Sequence, residues 1–182
     1  MSKRILGLLL VFAAFVSLTA TGAAEKHFSD VRIVFFCGGN EGCPFASVVY
    51  RGAKAAENDL GCRVDYVWSD WLPDKMVAQF KDAVAKRPDG IAVMGHPGVK
   101  ALAPLVDEAI AKGIIVTSQN TTLPEIEEKY KDRGFGYVGQ ELYESGLMLA
   151  KGAAKRAGLK SGDRALVWGL LGQETRGLRT KG

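Results

Sequence analysis

The thiols of Cys37, Cys43 and Cys62 are the first candidates for redox or nucleophilic chemistry in this 182-residue sequence. Cys43 and Cys62 flank a predicted helix whose ends would lie about 20–25 Å apart, whereas a disulfide spans Cα atoms no more than about 7 Å apart. A bond between those two is therefore excluded. A bond between Cys37 and Cys43 would close a short loop and is geometrically possible, so a disulfide and free thiols are both open for this pair.

Side chains that support catalysis are otherwise scarce. Cys43 would begin a helix, whose N-terminus lowers a thiol pKa, but no base lies near it in the sequence. No serine has the G-x-S-x-G setting of a hydrolase, and the two histidines, His27 and His96, offer little for a metal site. We therefore predict that the protein is not an enzyme and holds no metal or cofactor, with an exported hydrolase as an alternative.

A glycine-rich loop lies where ligands bind in α/β proteins. Residues 31–36, VRIVFF, form an apolar run that predicts a strand buried on both faces. Gly38, Gly39 and Gly42 then let the backbone turn tightly, and an apolar stripe over residues 45–60 predicts a helix. The loop thus follows the C-terminal end of a strand, which is the ligand-binding edge of an open sheet. Its spacing does not match the G-x-G-x-x-G of a dinucleotide site.

The rest of the chain repeats this unit. Further strands are predicted at residues 63–68, 91–94, 114–118 and 165–171, with a short extended piece at 134–139. Helical spacing follows Pro73, surrounds Leu105 and recurs over residues 142–157, while residues 119–133 form a polar loop with a short helix. Pro104 lies inside a helical pattern and predicts a kink or a late helix start. The alternation predicts an α/β fold with a parallel sheet flanked by helices.

The N-terminal residues 1–24 have the features of a secretory signal peptide. Lys3 and Arg4 precede an apolar core over residues 5–18, which is too short to span a bilayer, and small residues follow. A retained membrane anchor is the alternative. Without this segment the chain has 22 basic and 20 acidic side chains, so its charge gives no case for nucleic acid as a partner. The mature protein is predicted to begin near Glu25 and to work in a periplasm.

Five short motifs follow one another along the mature chain. They are Pro44-Phe45 with Gly52, Pro88-Asp89-Gly90-Ile91 with His96-Pro97, Lys112-Gly113-Ile114 with Asn120, Tyr137-Val138-Gly139-Gln140 with Gly146, and the stretch 169–182. In this order, and behind a signal peptide, they resemble the ribose-binding-type periplasmic sugar-binding proteins of ABC transporters, a group of type I periplasmic binding proteins. The resemblance covers nearly all of the mature chain.

The resemblance implies two α/β lobes that close on a sugar. Residues 25–139 would form the first lobe, and residues 140–182 the crossover and the start of a second lobe that is incomplete within this sequence. It further implies a monomeric solute-binding component of an ABC importer, with a small-molecule sugar and a membrane permease as partners. A binding protein that feeds a chemoreceptor or signalling system is the alternative.

Aromatic and histidine side chains are candidates for one wall of the sugar site. By resemblance, Phe45 matches an aromatic that stacks on the sugar ring, and His96 falls where a polar residue precedes proline. Trp71 lies in a loop at a strand end and is of the right type for stacking. Each has a structural alternative: Phe45 in the core, Trp71 under its own loop, and His96 as a hydrogen-bonded loop residue. Cys43 and Ala46 depart from the family pattern, which leaves the sugar unidentified.

Polar candidates come from later loops. By resemblance, Asn120 falls where many family members use Asp or Asn to hold sugar hydroxyls. Gln140 matches a polar crossover position, and Arg179 matches an arginine that reaches the ligand from the second lobe. Such planar side chains suit a rim of hydroxyl groups, because they donate or accept several hydrogen bonds.

Overall fold

The computed structural model describes residues 28–173 and 175–182, so the predicted signal peptide lies outside the described residues. The strands within them are β1 (Arg32–Phe36), β2 (Arg63–Val67), β3 (Gly90–Met94), β4 (Ile115–Gln119) and β5 (Tyr137–Val138). The helices are α1 (Pro44–Leu60), α2 (Pro73–Lys86), α3 (Val99–Ala111), α4 (Pro124–Tyr130), a 3-10 turn (Lys131–Arg133), α5 (Leu142–Ala157) and α6 (Leu178–Lys181). No helix in this part of the chain is long and apolar enough to cross a membrane.

The strands form one sheet in the order β2-β1-β3-β4-β5, and every neighbouring pair is parallel. Parallel neighbours require crossover connections, which α1, α2 and α3 supply between successive strands. The predicted fold, a parallel sheet flanked by helices, is confirmed. Because all the strands run the same way, the loops that follow them gather at one edge of the sheet.

Local sequence explains where the helices begin and end. Pro44, Pro73 and Pro124 each occupy the first helical position, where a missing N–H leaves no bond unmade. Gly61 and Gly158 follow α1 and α5 in the left-handed conformation, with φ of 74° and 65°. Glycine adopts that conformation without a Cβ clash, and it is the usual end of a helix.

The two faces of the sheet are buried to different extents. On one face the side chains pack into a core with α2, α3 and α4, where the rings of Phe36 and Phe80 lie 5.9 Å apart. On the other face Phe35 is half-buried beside Tyr66, on which Tyr50 of α1 packs at 4.7 Å. The sequence predicted that β1 is buried on both faces, but burial is complete on one face only. The helix on the other face, α1, packs loosely, since Ala46 is its one buried residue.

One local prediction is wrong, and one of two alternatives for another is excluded. Residues 165–171 form no strand, and Leu166 and Trp168 are 92% and 96% exposed. An apolar run becomes a strand only when a neighbouring strand forms backbone hydrogen bonds with it. None of the five described strands pairs with residues 165–171. At Pro104 the late helix start is excluded, since α3 begins at Val99 and runs through the proline, and the kink stays a prediction. The buried residues of α3 anchor that helix in the core despite the lost backbone bond.

Candidate ligand-binding site

A pocket of about 390 Å³ lies where loops from the carboxyl edge of the sheet meet the C-terminal segment. It is lined by four of the six predicted site residues, Phe45, Trp71, Asn120 and Arg179. A cavity of about 490 Å³ shares three of these and adds Gln140. The fold thus brings five of the predicted residues into two adjoining cavities.

Trp71 occupies an unusual backbone conformation at the wall of this pocket. Its φ is 60°, a left-handed value that a bulky residue adopts only when its surroundings hold it there. Its N–H donates to the carbonyl of Gly38 at 2.9 Å, and a Cβ on Gly39 would lie only 2.8 Å from the indole Nε1. The glycine-rich loop therefore fixes Trp71 through its backbone, and its lack of side chains leaves room for the indole.

The indole of Trp71 is the centre of a small cluster. Its ring lies 5.8 Å from the Phe45 ring and 5.8 Å from the His96 ring, both tilted. The guanidinium carbon of Arg176 lies 4.7 Å from the indole centroid. Phe45 is 42% exposed and is therefore a pocket-wall residue that remains open to solvent, outside the buried core.

Asn120 follows the last residue of β4, at the carboxyl edge of the sheet. Its φ is 63°, a left-handed value that asparagine tolerates better than most residues. Its N–H donates to Val138 O at 2.9 Å, which ties it to β5. The next residue, Thr121, is fully buried, lines the same pocket, and has a hydroxyl with no hydrogen-bond partner among the described residues.

Arg179 is positioned by the contact between α5 and α6. Its Nε donates to the Ser145 hydroxyl at 3.3 Å. A Cβ on Gly146 would lie 2.0 Å from the Arg179 carbonyl oxygen, so the two backbones can touch only because residue 146 is a glycine. Gly146 thereby determines how far Arg179 reaches into the pocket.

His96 does not line either cavity. It is 7% exposed beneath Trp71, and neither ring nitrogen has a hydrogen-bond partner within the described part of the chain. Burial, together with the smaller effect of the nearby Arg176 charge, lowers its pKa to about 4. The imidazole is therefore neutral at pH 7 and supports the indole from below.

All three cysteines are within the described residues and none is bonded to another. The prediction that Cys43 and Cys62 cannot pair is confirmed, since α1 separates them. Burial raises the pKa of the Cys37 thiol to about 12, whereas a hydrogen bond from the Ala46 backbone is the main cause that lowers the pKa of Cys43. Across residues 28–173 and 175–182, no three potential metal ligands gather in one place.

A sequence model described as a periplasmic binding protein domain matches residues 33–182. The chain belongs to this family. No curated protein matches the chain. The family's name agrees with the resemblance seen in the five motifs, and its match covers every element of the sheet apart from the first residue of β1.

Solved structures of this family share the fold. GanP, a glucose-galactose binding protein from Geobacillus stearothermophilus, is 25% identical with a TM-score of 0.60, over 70% of this chain and 43% of its own. A carbohydrate transporter from Acidothermus cellulolyticus in complex with myo-inositol is 29% identical with a TM-score of 0.58, over 71% and 43%. An ABC transporter solute-binding protein from Burkholderia graminis in complex with D-arabinose is 22% identical with a TM-score of 0.68, over 83% and 49%. The chain thus spans less than half the length of each.

Seven of the eleven residues that line the pocket were not predicted from the sequence, and Arg176 and Thr121 are two of them. Arg176 precedes Arg179 by three residues, a spacing that would place both on one side of a helical turn, and that was the available signal. Thr121 adjoins the predicted Asn120 but looks like any threonine of a polar loop. Its burial comes from contacts with distant segments, such as the close approach of Gly95 to its carbonyl oxygen.

The buried imidazole of His96 predicts a loss of stability in acid. Its pKa in the folded protein, about 4, lies below the ordinary 6.5, so its contribution is complete above pH 6.5 and is lost as the pH falls toward 4. Between pH 7.5 and 5 this group should reduce the free energy of unfolding by about 2 kcal/mol. Urea unfolding of wild type and His96→Gln across that range measures the difference. Parallel pH curves for the two proteins would contradict the prediction.

Proposed function

We propose that the chain belongs to the solute-binding component of an ABC importer and captures a sugar or sugar-like molecule in the pocket of Trp71 and Asn120. One observation carries this proposal. Two aromatic rings 5.8 Å apart, Phe45 and Trp71, share a cavity with the amide of Asn120 and the guanidinium of Arg179. Apolar C–H faces of a sugar pack on such rings, and its hydroxyls bond to such polar groups.

The size and depth of the site suit a monosaccharide. The pocket of about 390 Å³ lies at the lower end of the range for small-molecule sites, and the adjoining cavity extends it toward Gln140. The solved relatives named above are a glucose-galactose binding protein and two proteins in complex with myo-inositol and D-arabinose. A sugar or polyol of that kind is the class we propose for this chain.

The proposed role includes the location and organisation of the protein. Residues 1–24 would direct export to the periplasm, residues 25–139 would form the first lobe, and residues 140–182 would form the crossover and the start of a second lobe. Gln140 would lie at that crossover, facing the adjoining cavity. The protein would act as a monomer that delivers its sugar to a membrane permease, and it would catalyse no reaction.

Calorimetric titration with pentoses, hexoses and sugar alcohols tests the proposal. We expect at least one to bind, and we expect Asn120→Gly to weaken that binding about tenfold through the lost amide hydrogen bonds. Glycine is chosen because it keeps the left-handed backbone at this position without strain.

Asn40→Gly is the matched control, since Asn40 is an exposed loop asparagine that lines neither cavity. It should bind the same sugar as tightly as wild type. If no member of the panel binds, or if the two asparagine variants behave alike, sugar capture at this site is wrong.

A further inference from the structure

The formal charges on the pocket wall are all positive among the described residues. Arg176 and Arg179 both line the pocket, and no aspartate or glutamate of residues 28–173 and 175–182 does. The ion pairs among the described residues all use lysines, so neither arginine is paired with a carboxylate in this part of the chain. Two guanidinium groups line one cavity that has no carboxylate among its described residues, and both would attract an anion bound there.

Arg176 is held in a way that leaves its donors available. Its guanidinium carbon lies 4.7 Å from the centroid of the Trp71 indole, within range of a cation–π interaction. A planar guanidinium on an aromatic face still presents N–H groups along its edge, in the fork geometry that matches a carboxylate or a phosphate. Burial lowers the pKa of Arg176, which shows that the charge is partly desolvated. A partly desolvated cation gains most from an anionic partner.

The remaining donors converge on the same space. Arg179 uses its Nε for the Ser145 hydroxyl at 3.3 Å, and its two terminal nitrogens bond to none of the described residues. Thr121 adds a fully buried hydroxyl that has no partner there. Thr121 forms part of the pocket wall, and a buried hydroxyl without a partner costs free energy.

We propose that the ligand is an anionic sugar, a monosaccharide bearing a carboxylate or a phosphate whose oxygens pair with Arg176 and Arg179. This inference rests on the proposed sugar-binding function and names the substrate class. The aromatic rings and Asn120 would hold the sugar body, and the two arginines would hold its anionic group. A neutral sugar at the same place would leave both positive charges uncompensated.

Calorimetry of the full chain with matched probes tests the charge preference directly. The probes are D-galactose, D-galacturonate and D-galactose 6-phosphate, followed by the corresponding glucose series. We expect one anionic probe of a series to bind at least about tenfold more tightly than its neutral parent, since a charge-assisted pair contributes about 1.5–3 kcal/mol. The acid and phosphate arms show which anionic group the site prefers, and added salt should reduce the preference.

Variants locate the effect. Arg176→Gln and Arg179→Gln should each weaken the anionic probe at least tenfold and should reduce the ratio of anionic to neutral affinity. Arg176→Lys keeps the charge but loses the planar fork, so it should fall between wild type and Arg176→Gln. Arg51→Gln, an exposed position on α1 that lines neither cavity, removes the same charge and should preserve wild-type ratios. Circular dichroism confirms that each variant is folded.

The outcomes separate this inference from the function on which it rests. Tighter binding of an anionic probe, lost in the two glutamine variants, supports it. Neutral sugars that bind as tightly as their anionic counterparts overturn the inference and leave sugar capture in place. Absence of binding by every neutral and anionic probe overturns both.

Discussion

Replacing Gly95 with alanine is expected to weaken ligand binding on the order of a hundredfold, and to destabilise the fold by about 1–3 kcal/mol through overcrowding. Gly95 follows β3 and is buried. A Cβ there would lie 2.2 Å from the Thr121 carbonyl oxygen, which is backbone and cannot rotate aside. The loop of Asn120 and Thr121 must therefore shift by about 1 Å, since carbon and oxygen need more than 3 Å.

That displacement would move several ligand-binding groups at once. Asn120 and Thr121 both line the pocket, and loss of two or three hydrogen bonds to a ligand amounts to about 3 kcal/mol. Calorimetry with the best-bound sugar and urea unfolding measure the two effects. Gly136→Ala is the matched control. Gly136 precedes β5, the neighbour of β4 in the sheet, and a Cβ there has nothing within 4 Å. Wild-type affinity in Gly95→Ala would show that this loop does not hold the ligand.

Replacing Gly146 with alanine is expected to reduce ligand affinity by more than tenfold with little loss of stability. The new Cβ would lie 2.0 Å from the Arg179 carbonyl oxygen and 2.9 Å from its carbonyl carbon, so α6 must move away from α5. Arg179 and Thr180, which both line the pocket, would move with it. Alanine also has a higher helix propensity than glycine by about 1 kcal/mol, which offsets part of the clash.

Gly152→Ala is the control for Gly146→Ala, because it makes the same substitution in α5 without a contact to α6. Gly152 lies in the same helix, and a Cβ there meets no atom within 4 Å. It should gain about 0.5–1 kcal/mol of stability and keep its affinity. If Gly146→Ala and Gly152→Ala bind the sugar equally well, then Arg179 and Thr180 contribute nothing to the site.

The sheet and its helices were predictable because they depend on local pattern. A proline at the first turn fixes where α1 begins, glycines fix where α1 and α5 end, and helical spacing identifies α2 and α3. Residues 165–171 had an equally apolar pattern, but such a run reports only a tendency to be buried. It carries no information on whether a neighbouring strand is present to pair with it.

The site was predictable in part for the same reason. Asn120 and Trp71 follow strands, and the loops after parallel strands meet at one edge, so their approach to each other follows from topology. The cation–π contact of Arg176, the burial of Thr121 and the close approach of Gly95 depend on segments far apart in the chain. Those contacts are tertiary, and no local spacing encodes them.

The separation between the buried core and the loops that bear the pocket has an evolutionary consequence. Phe45, Asn120 and Arg179 lie on three different segments outside the strands and outside the buried core, whereas Trp71 packs against that core. Substitutions at the first three positions can therefore accumulate one segment at a time without disturbing the packing that keeps the chain folded. A lineage that keeps Gly95 and Gly146 can exchange one ligand for another through single replacements, each of which leaves a stable intermediate.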